Sequence, residues 1–172
     1  FMDSDVLKVL DAGCGTGLYT LAILERFPNA CVDAFDLNPD MVEQARKQIA
    51  KTGNLDRASV IVKDITSDLP YSPRSFDLVI TGGVLEHVNA RNTLQNLGEY
   101  LKPHSLFLNS PVRNSWLGRL IGRQAGFVPY SRAEIVGVFS SEAFNLKDEI
   151  ALPHRYFPIS LIKDVHIFTK QQ

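Results

Sequence analysis

The sequence predicts an α/β domain built on a doubly wound, mostly parallel sheet with helices on both faces. Short apolar runs of strand length recur along the chain, and most are separated by segments whose apolar residues repeat at helical spacing. The strands read as near-continuous apolar stretches rather than alternating ones, the pattern of strands covered on both sides. Right-handed crossovers then restrict the topology to few arrangements. At 172 residues the chain has the length of one ordinary domain, 1–172, with a substantial core.

The first strand covers Val6 to Leu10. After it comes DAGCGTG, in which Gly13, Gly15 and Gly17 alternate with other residues, and then Leu18, Leu21, Ala22 and Leu24 open a helical pattern that stops before Pro28. The glycines therefore occupy a strand-to-helix turn, where the missing Cβ permits unusual backbone angles and close approach. Amides at the start of such a helix are expected to face outward, toward a ligand with anionic or acceptor atoms, although turns of this kind also join elements without binding anything. The second strand runs from Ala30 to Phe35, and the helix after it is well marked: Asn38 caps it, Pro39 suits its first position, Asp40 complements its dipole and Gly53 follows its end. Strands at Ser59 to Val62 and Phe76 to Thr81 precede a helix from Ala90 to Leu101, with Leu94, Leu97 and Leu101 on one face and Pro103 beyond. A fifth strand covers Ser105 to Asn109, and Ser131 with Glu134 forms a capping box ahead of Ile135, Val136 and Phe139. The last two strands, Asn145 to Leu152 and Lys163 to Lys170, are joined without a helix, so the final strand is expected to run antiparallel.

Eighteen basic and nineteen acidic side chains leave a formal charge of -1, which argues against a global attraction to nucleic acid or to an anionic membrane. No apolar run approaches the ~20 residues that span a bilayer, and no secretory leader opens the chain, so a soluble protein is expected. Cys14 and Cys31 make neither a disulfide framework nor a metal-ligand spacing, which points to a reducing, cytoplasmic compartment.

In open doubly wound sheets a ligand lies beyond the carboxyl ends of the strands, where strand order reverses. The loops there are the glycine turn, Phe35-Asp36-Leu37-Asn38, Lys63-Asp64-Ile65 and Thr81-Gly82-Gly83. Asp36 follows Gly17 by nineteen residues and ends the second strand, where a carboxylate can accept from both hydroxyls of a ribose. Asp64 can accept from the exocyclic amine of a purine, with Leu37 and Ile65 as apolar walls.

In order and spacing, DAGCGTG, AFDLNPDMVEQARKQ, VKDITSDLPYSPRSFDLVITGGVLEHV and LKPHSLFLNSP resemble the class I S-adenosylmethionine-dependent methyltransferases, particularly the small-molecule branch that includes quinone-biosynthesis enzymes. The resemblance covers Val6 to Pro111. It implies a Rossmann-like sheet of seven strands in the order 3-2-1-4-5-7-6, strand seven antiparallel, and S-adenosyl-L-methionine as cofactor, released as S-adenosyl-L-homocysteine. It also implies roles: Asp11 and the backbone of Gly13, Cys14, Gly15 and Gly17 for the methionine portion, Asp36 for the ribose, Leu37 for an adenine face, Asp64 with Ile65 for the adenine edge, and Gly82 near the sulfonium. A nicotinamide-dependent oxidoreductase is the weaker alternative, since its fingerprint wants glycine where Leu18 stands and no Tyr-x-x-x-Lys pair occurs.

Methyl transfer from a sulfonium is an in-line displacement with a good leaving group, so a protein contributes mainly alignment, and a base is optional. His87, after the fourth strand, is the candidate base for a hydroxyl acceptor, against the alternative of a helix-start residue bonding its neighbours. Glu86 is equally ambiguous. A Glu-x-x-Glu-His metal site would need an acid where Gly83 stands, and His104, His154 and His166 lack metal-like spacing and read as structural or exposed. No metal is expected. The Asn/Asp-Pro-Pro-aromatic motif of base-amine methyltransferases is absent after the fourth strand, which favours a small-molecule acceptor and no specific nucleic acid.

Between Glu99 and Glu134 lie Lys102, Arg113, Arg119, Arg123 and Arg132 with no acid, and Trp116, Leu117, Leu120 and Ile121 recur there at helical spacing. The first expectation is an amphipathic helix packed on the sheet; a lid, an anion-docking surface and a weak membrane-surface contact by 113–124 are the alternatives. Only five residues precede Val6, where the family has helices that cover the cofactor, so cap helices are expected to be missing, and a cofactor-binding module without catalysis is the second functional reading.

Overall fold

The computed structural model describes residues 6–152 and 159–171. Strand β1 (Lys8–Ala12) is followed by α1 (Leu18–Arg26), β2 (Cys31–Asp36), α2 (Pro39–Lys51), β3 (Ala58–Val62) and β4 (Phe76–Thr81). A 3-10 turn at Leu85–His87 leads to α3 (Ala90–Tyr100), β5 (Leu101–Asn109), α4 (Trp116–Ala125), α5 (Arg132–Ser141), β6 (Phe144–Ala151) and β7 (Asp164–Lys170). The seven strands form one sheet in the order β3-β2-β1-β4-β5-β7-β6, parallel except for β7, which runs antiparallel to both neighbours. His154 lies outside the described residues.

The two faces of the sheet carry separate cores. On one, α1 and α2 bury Leu24, Val42, Ala45 and Ile49 against Val9, Val32 and Ile80. On the other, α3 and α5 bury Leu94, Leu97, Ile135 and Phe139 against Leu10, Val79, Phe107 and Phe168. Strand order reverses between β1 and β4, which opens the rim there for a ligand.

The helix signals act as the residue types dictate. The Asn38 side chain accepts from the Asp40 amide at 2.9 Å, Pro39 sits at the first position of α2, and Ser131 and Glu134 form the reciprocal capping box of α5. Asn89 caps α3 through the Asn92 amide, a role the sequence pattern left unmarked.

Strand β1 starts two residues later than its apolar run suggests. Val6 is 79% exposed, whereas Asp11 pairs in the ladder with Ala34 on one side and Ile80 on the other. The acid therefore belongs to the strand and not to the turn after it. Helix α4 also differs from expectation, since it does not lie on the sheet. The residues it buries are Gly118 and Gly122, pressed against the chain on either side of the helix at Arg113 and Phe127, while Trp116 is 73% and Leu120 48% exposed. Two glycines on the inner face let backbone meet backbone, Leu117 and Ile121 are half-buried, and Trp116 and Leu120 are left outside. Among the described residues, no helix is long and apolar enough to cross a membrane.

Asp11 is fully buried between β1 and α1, where its Oδ2 accepts from the Thr20 amide at 3.0 Å and the Thr20 hydroxyl at 2.6 Å. Its Oδ1 has no hydrogen-bond partner among the described residues. Burial pushes its pKa from 3.8 up to about 6, against the two Thr20 bonds and with help from the Asp36 charge. Because the folded value lies above the unfolded one, the folded chain holds the proton more tightly, and stability is lost as pH rises from about 4 to about 6. Asp11→Asn removes this titration and keeps an oxygen for Thr20. Urea denaturation across pH 4 to 7 should show the variant gaining on the parent by on the order of 2–3 kcal/mol. A gap that stays constant with pH would exclude a buried, titrating Asp11.

Candidate functional site

The carboxyl rim at the strand-order reversal holds a cavity of about 540 Å³. Gly13 and Gly15 line it from the end of β1, and Phe35, Asp36 and Leu37 from the end of β2. Lys63, Asp64 and Ile65 follow β3, and Gly82, Gly83, Val84, His87 and Val88 follow β4. Met41 closes it from the first turn of α2. Four loops far apart in sequence thus meet because parallel strands deliver their carboxyl ends to one edge.

The glycine turn is not the row of outward amides expected. Gly13 and Cys14 both donate to the Phe35 carbonyl at 2.9 Å, Gly17 donates to the Cys14 carbonyl at 2.9 Å, and Gly15 donates to Asp36 Oδ2 at 2.8 Å. A tight turn cannot leave so many amides unpaired without cost, and the end of β2 supplies the acceptors. The turn needs glycine: Gly13 and Gly15 have φ of +76° and +54°, and a Cβ at Gly13 would run into the Val84 side chain.

Asp36 is fixed from two sides. Its Oδ2 takes the Gly15 amide and its Oδ1 the Asn38 amide at 2.9 Å, so the carboxylate is oriented while each oxygen keeps a further lone pair. Leu37 is 66% exposed at the cavity edge. Asp64 Oδ1 accepts from both the Thr66 amide at 2.8 Å and its hydroxyl at 2.7 Å, bonds that hold its pKa below the usual carboxylate range and leave Oδ2 without a hydrogen-bond donor among the described residues. Ile65 is buried beneath it.

Three residues expected to touch a ligand do not line the cavity. Asp11 lies under α1 on Thr20, because it belongs to the strand ladder and faces the α1 side of the sheet. Cys14 is buried in the core with Val32 and Ala34, and burial pushes its thiol well above the ordinary range. Gly17, left-handed at the start of α1, lies against Ala45 of α2, so it sets helix–helix packing. These residues shape the turn from behind.

Gly82 passes close to the Tyr19 ring, which leaves no room for a Cβ. His87 is exposed at the cavity edge with its ring 4.7 Å from that of Phe127. Glu86 points away from the cavity, and its Oε1 accepts from the Val112 amide at 2.6 Å. Among the described residues, no group of three His, Cys, Asp or Glu could hold a metal ion.

Sequence reasoning missed Met41, Val84 and Val88 in the lining, although each lies within three residues of a residue it named. It also missed Lys163, whose ammonium approaches Gly83 from the far end of the chain, held there by the bridge of Lys163 to Val112. Burial lowers the Lys163 pKa, against the nearby Glu86 charge. No local pattern announces that contact; it arises from the antiparallel return of β7.

The model of the methyltransferase domain family matches residues 9–104, the stretch that builds this cavity. A malonyl-[acyl-carrier protein] O-methyltransferase from Priestia megaterium is 30% identical over 91% of this chain and 58% of its own length. A 2-methyl-6-phytyl-1,4-hydroquinone methyltransferase from Oryza sativa is 37% identical over 47% of this chain and 23% of its own. Among solved structures, a geranyl diphosphate C-methyltransferase from Streptomyces coelicolor, in complex with S-adenosyl-L-homocysteine, superposes with a TM-score of 0.78 at 13% identity, over 96% of this chain and 74% of that one. The chain spans 31% to 58% of the length of the first curated relatives it matches. With the family model covering more than half of its residues and the sheet order expected of that family, the chain belongs to the methyltransferase domain family, of the class I, S-adenosylmethionine-dependent type.

Proposed function

We propose that this chain binds S-adenosyl-L-methionine in the rim cavity and directs its methyl group to an oxygen of a small-molecule acceptor. The observation that carries the reading is Asp36, a carboxylate in the cavity wall already oriented by the Gly15 and Asn38 amides, with lone pairs left for vicinal hydroxyls. The cradle supports it too, since a Cβ at Gly13 would drive into Val84 of the cavity wall and one at Gly82 into the Tyr19 ring, so only glycine backbone fits at these edges of the cavity. The relative from Priestia megaterium, matched over 91% of this chain, is named for O-methylation, which supports oxygen as the acceptor atom.

Asp36 holds the ribose, Leu37 and Ile65 bracket the adenine, and Asp64 accepts at its edge through the oxygen Thr66 leaves unengaged. Gly13, Gly15 and Gly82 let the backbone approach the methionine portion and the sulfonium. The bound cofactor supplies a methyl group already activated by the positive sulfur. The protein's part is alignment and exclusion of water, which can recover roughly 7–11 kcal/mol of barrier. His87 sits at the exposed edge, where it can take the proton of a hydroxyl acceptor; a carboxylate acceptor is ionised already and needs no base.

Calorimetry with S-adenosyl-L-homocysteine tests the reading. Asp36→Ala should weaken affinity about tenfold or more, since a charge-assisted acceptor worth ~1.5–3 kcal/mol is lost together with the anchor of Gly15. An unchanged titration would remove the ribose assignment. His87→Ala should leave that affinity within about twofold, because the ring is exposed at the edge. If its turnover with a phenolic acceptor also stays at the parent level, His87 is no base.

A further inference from the structure

Helix α4 turns an uncovered face to solvent. Its glycine side is pressed against the chain at Arg113 and Phe127, so the opposite side points outward, where Trp116, Leu120 and Arg123 recur at intervals of four and three residues. Trp116 and Leu120 are exposed there, and Val128, just past the end of the helix, is 79% exposed. Arg119, Arg123, Phe127 and Val128 line a shallow depression of about 320 Å³ between the helix and the loop after it. Large apolar side chains gathered in solvent beside one another mark a contact surface.

The charges of this patch have one sign. No acid occurs between Glu99 and Glu134. Arg113 and Arg132, on either side, are paired with Asp164 and Glu149. Arg119 meets only the Asn114 side-chain oxygen at 3.1 Å, and neither it nor Arg123 pairs with a carboxylate among the described residues. Two exposed guanidinium groups thus flank the apolar side chains with their charge uncompensated.

That combination suits a lipid surface. Apolar side chains enter the boundary between headgroups and acyl chains, an indole settles at headgroup depth, and cations meet anionic headgroups. The protruding residues are the apolar ones, and a fluid surface admits them without a matching socket, which a protein partner would have to supply. The formal charge of -1 does not oppose this, because at a Debye length of ~8 Å the approaching patch feels the surface more than the distant acids do.

We propose that Trp116, Leu120 and Val128, flanked by Arg119 and Arg123, dock the protein on an anionic lipid surface without crossing it. The patch adjoins the cofactor cavity, since the Phe127 ring lies 4.7 Å from that of His87 in the cavity wall. That a lipid-dissolved acceptor then enters past His87 rests on the function proposed above. The docking itself does not.

Trp116 is the sole tryptophan of the chain and reports on its own surroundings. With vesicles of phosphatidylcholine containing roughly one-third phosphatidylglycerol, its emission should shift to shorter wavelength and the protein should float with the lipid. Phosphatidylcholine alone should do neither, and added salt should weaken the binding. The double variant Arg119→Gln, Arg123→Gln should lose about tenfold or more in vesicle affinity, with its melting temperature and its affinity for S-adenosyl-L-homocysteine unchanged. Leu120→Ser should lose about threefold or more. Absence of flotation, equal binding to both kinds of vesicle, or full affinity in the double variant would each overturn the proposal. So would a Trp116 shift on concentrating the protein without lipid, which assigns the patch to a second copy of the chain. An equal shift with poly-L-glutamate would overturn it in favour of an acidic protein. Vesicle binding without binding of S-adenosyl-L-homocysteine would sink the cofactor reading and leave the docking standing.

Discussion

The contact on which the molecule's chemistry depends is the suture between the glycine turn and the end of β2. The Phe35 carbonyl takes two amides and Asp36 a third, so the loop after the first strand is shaped by the strand beside it. Three consequences follow from that geometry. The turn keeps its left-handed angles without stranded donors, the cavity floor is set before any ligand arrives, and the carboxylate that faces the cavity is held in one orientation. A site prepared in this way spends little of its binding energy on ordering itself.

The buried acid on the other side of the same turn plays against this economy. Asp11 ties β1 to α1 through Thr20, yet one of its oxygens is unpartnered among the described residues and Asp36 adds repulsion from nearby. The rim of the first two strands therefore concentrates negative charge at a place where the ligand proposed for it carries positive charge on sulfur and nitrogen. Lys63 is the lysine in the cavity lining itself, with His87 at its edge.

What the sequence made legible was whatever is encoded in neighbours along the chain. Alternating glycines after an apolar run mark the strand-to-helix turn, an acid ends the next strand, and Asn38-Pro39-Asp40 opens the second helix, all three where the local pattern puts them, although the amides of the turn bond to the end of β2 and do not face outward. The sheet order followed from the family resemblance, and the antiparallel last strand from the absence of a helix between two apolar runs. Illegible features depend on what lies alongside in space. Lys163 meets Gly83, and His166 meets Asn109 and Glu149, because β7 returns between β5 and β6. Asp11 looked like a turn residue because composition does not say where a ladder stops. Helix α4 carried a correct helical period, but periodicity cannot tell a helix buried on a sheet from one whose small residues touch backbone while Trp116 and Leu120 face water.

That helix has a consequence for anyone seeking a sturdier version of the molecule. Exchanging glycine for alanine inside a helix is a routine route to higher melting temperature, worth up to ~1 kcal/mol at an open position. At Gly118 and Gly122 the new methyl would strike the carbonyls of Arg113 and Phe127, atoms of the main chain that have nowhere to retreat. Gly137 in α5 has open space around it, and at Gly98 in α3 a methyl would make ordinary contact with the Phe144 ring, so thermostabilising efforts belong on those two helices.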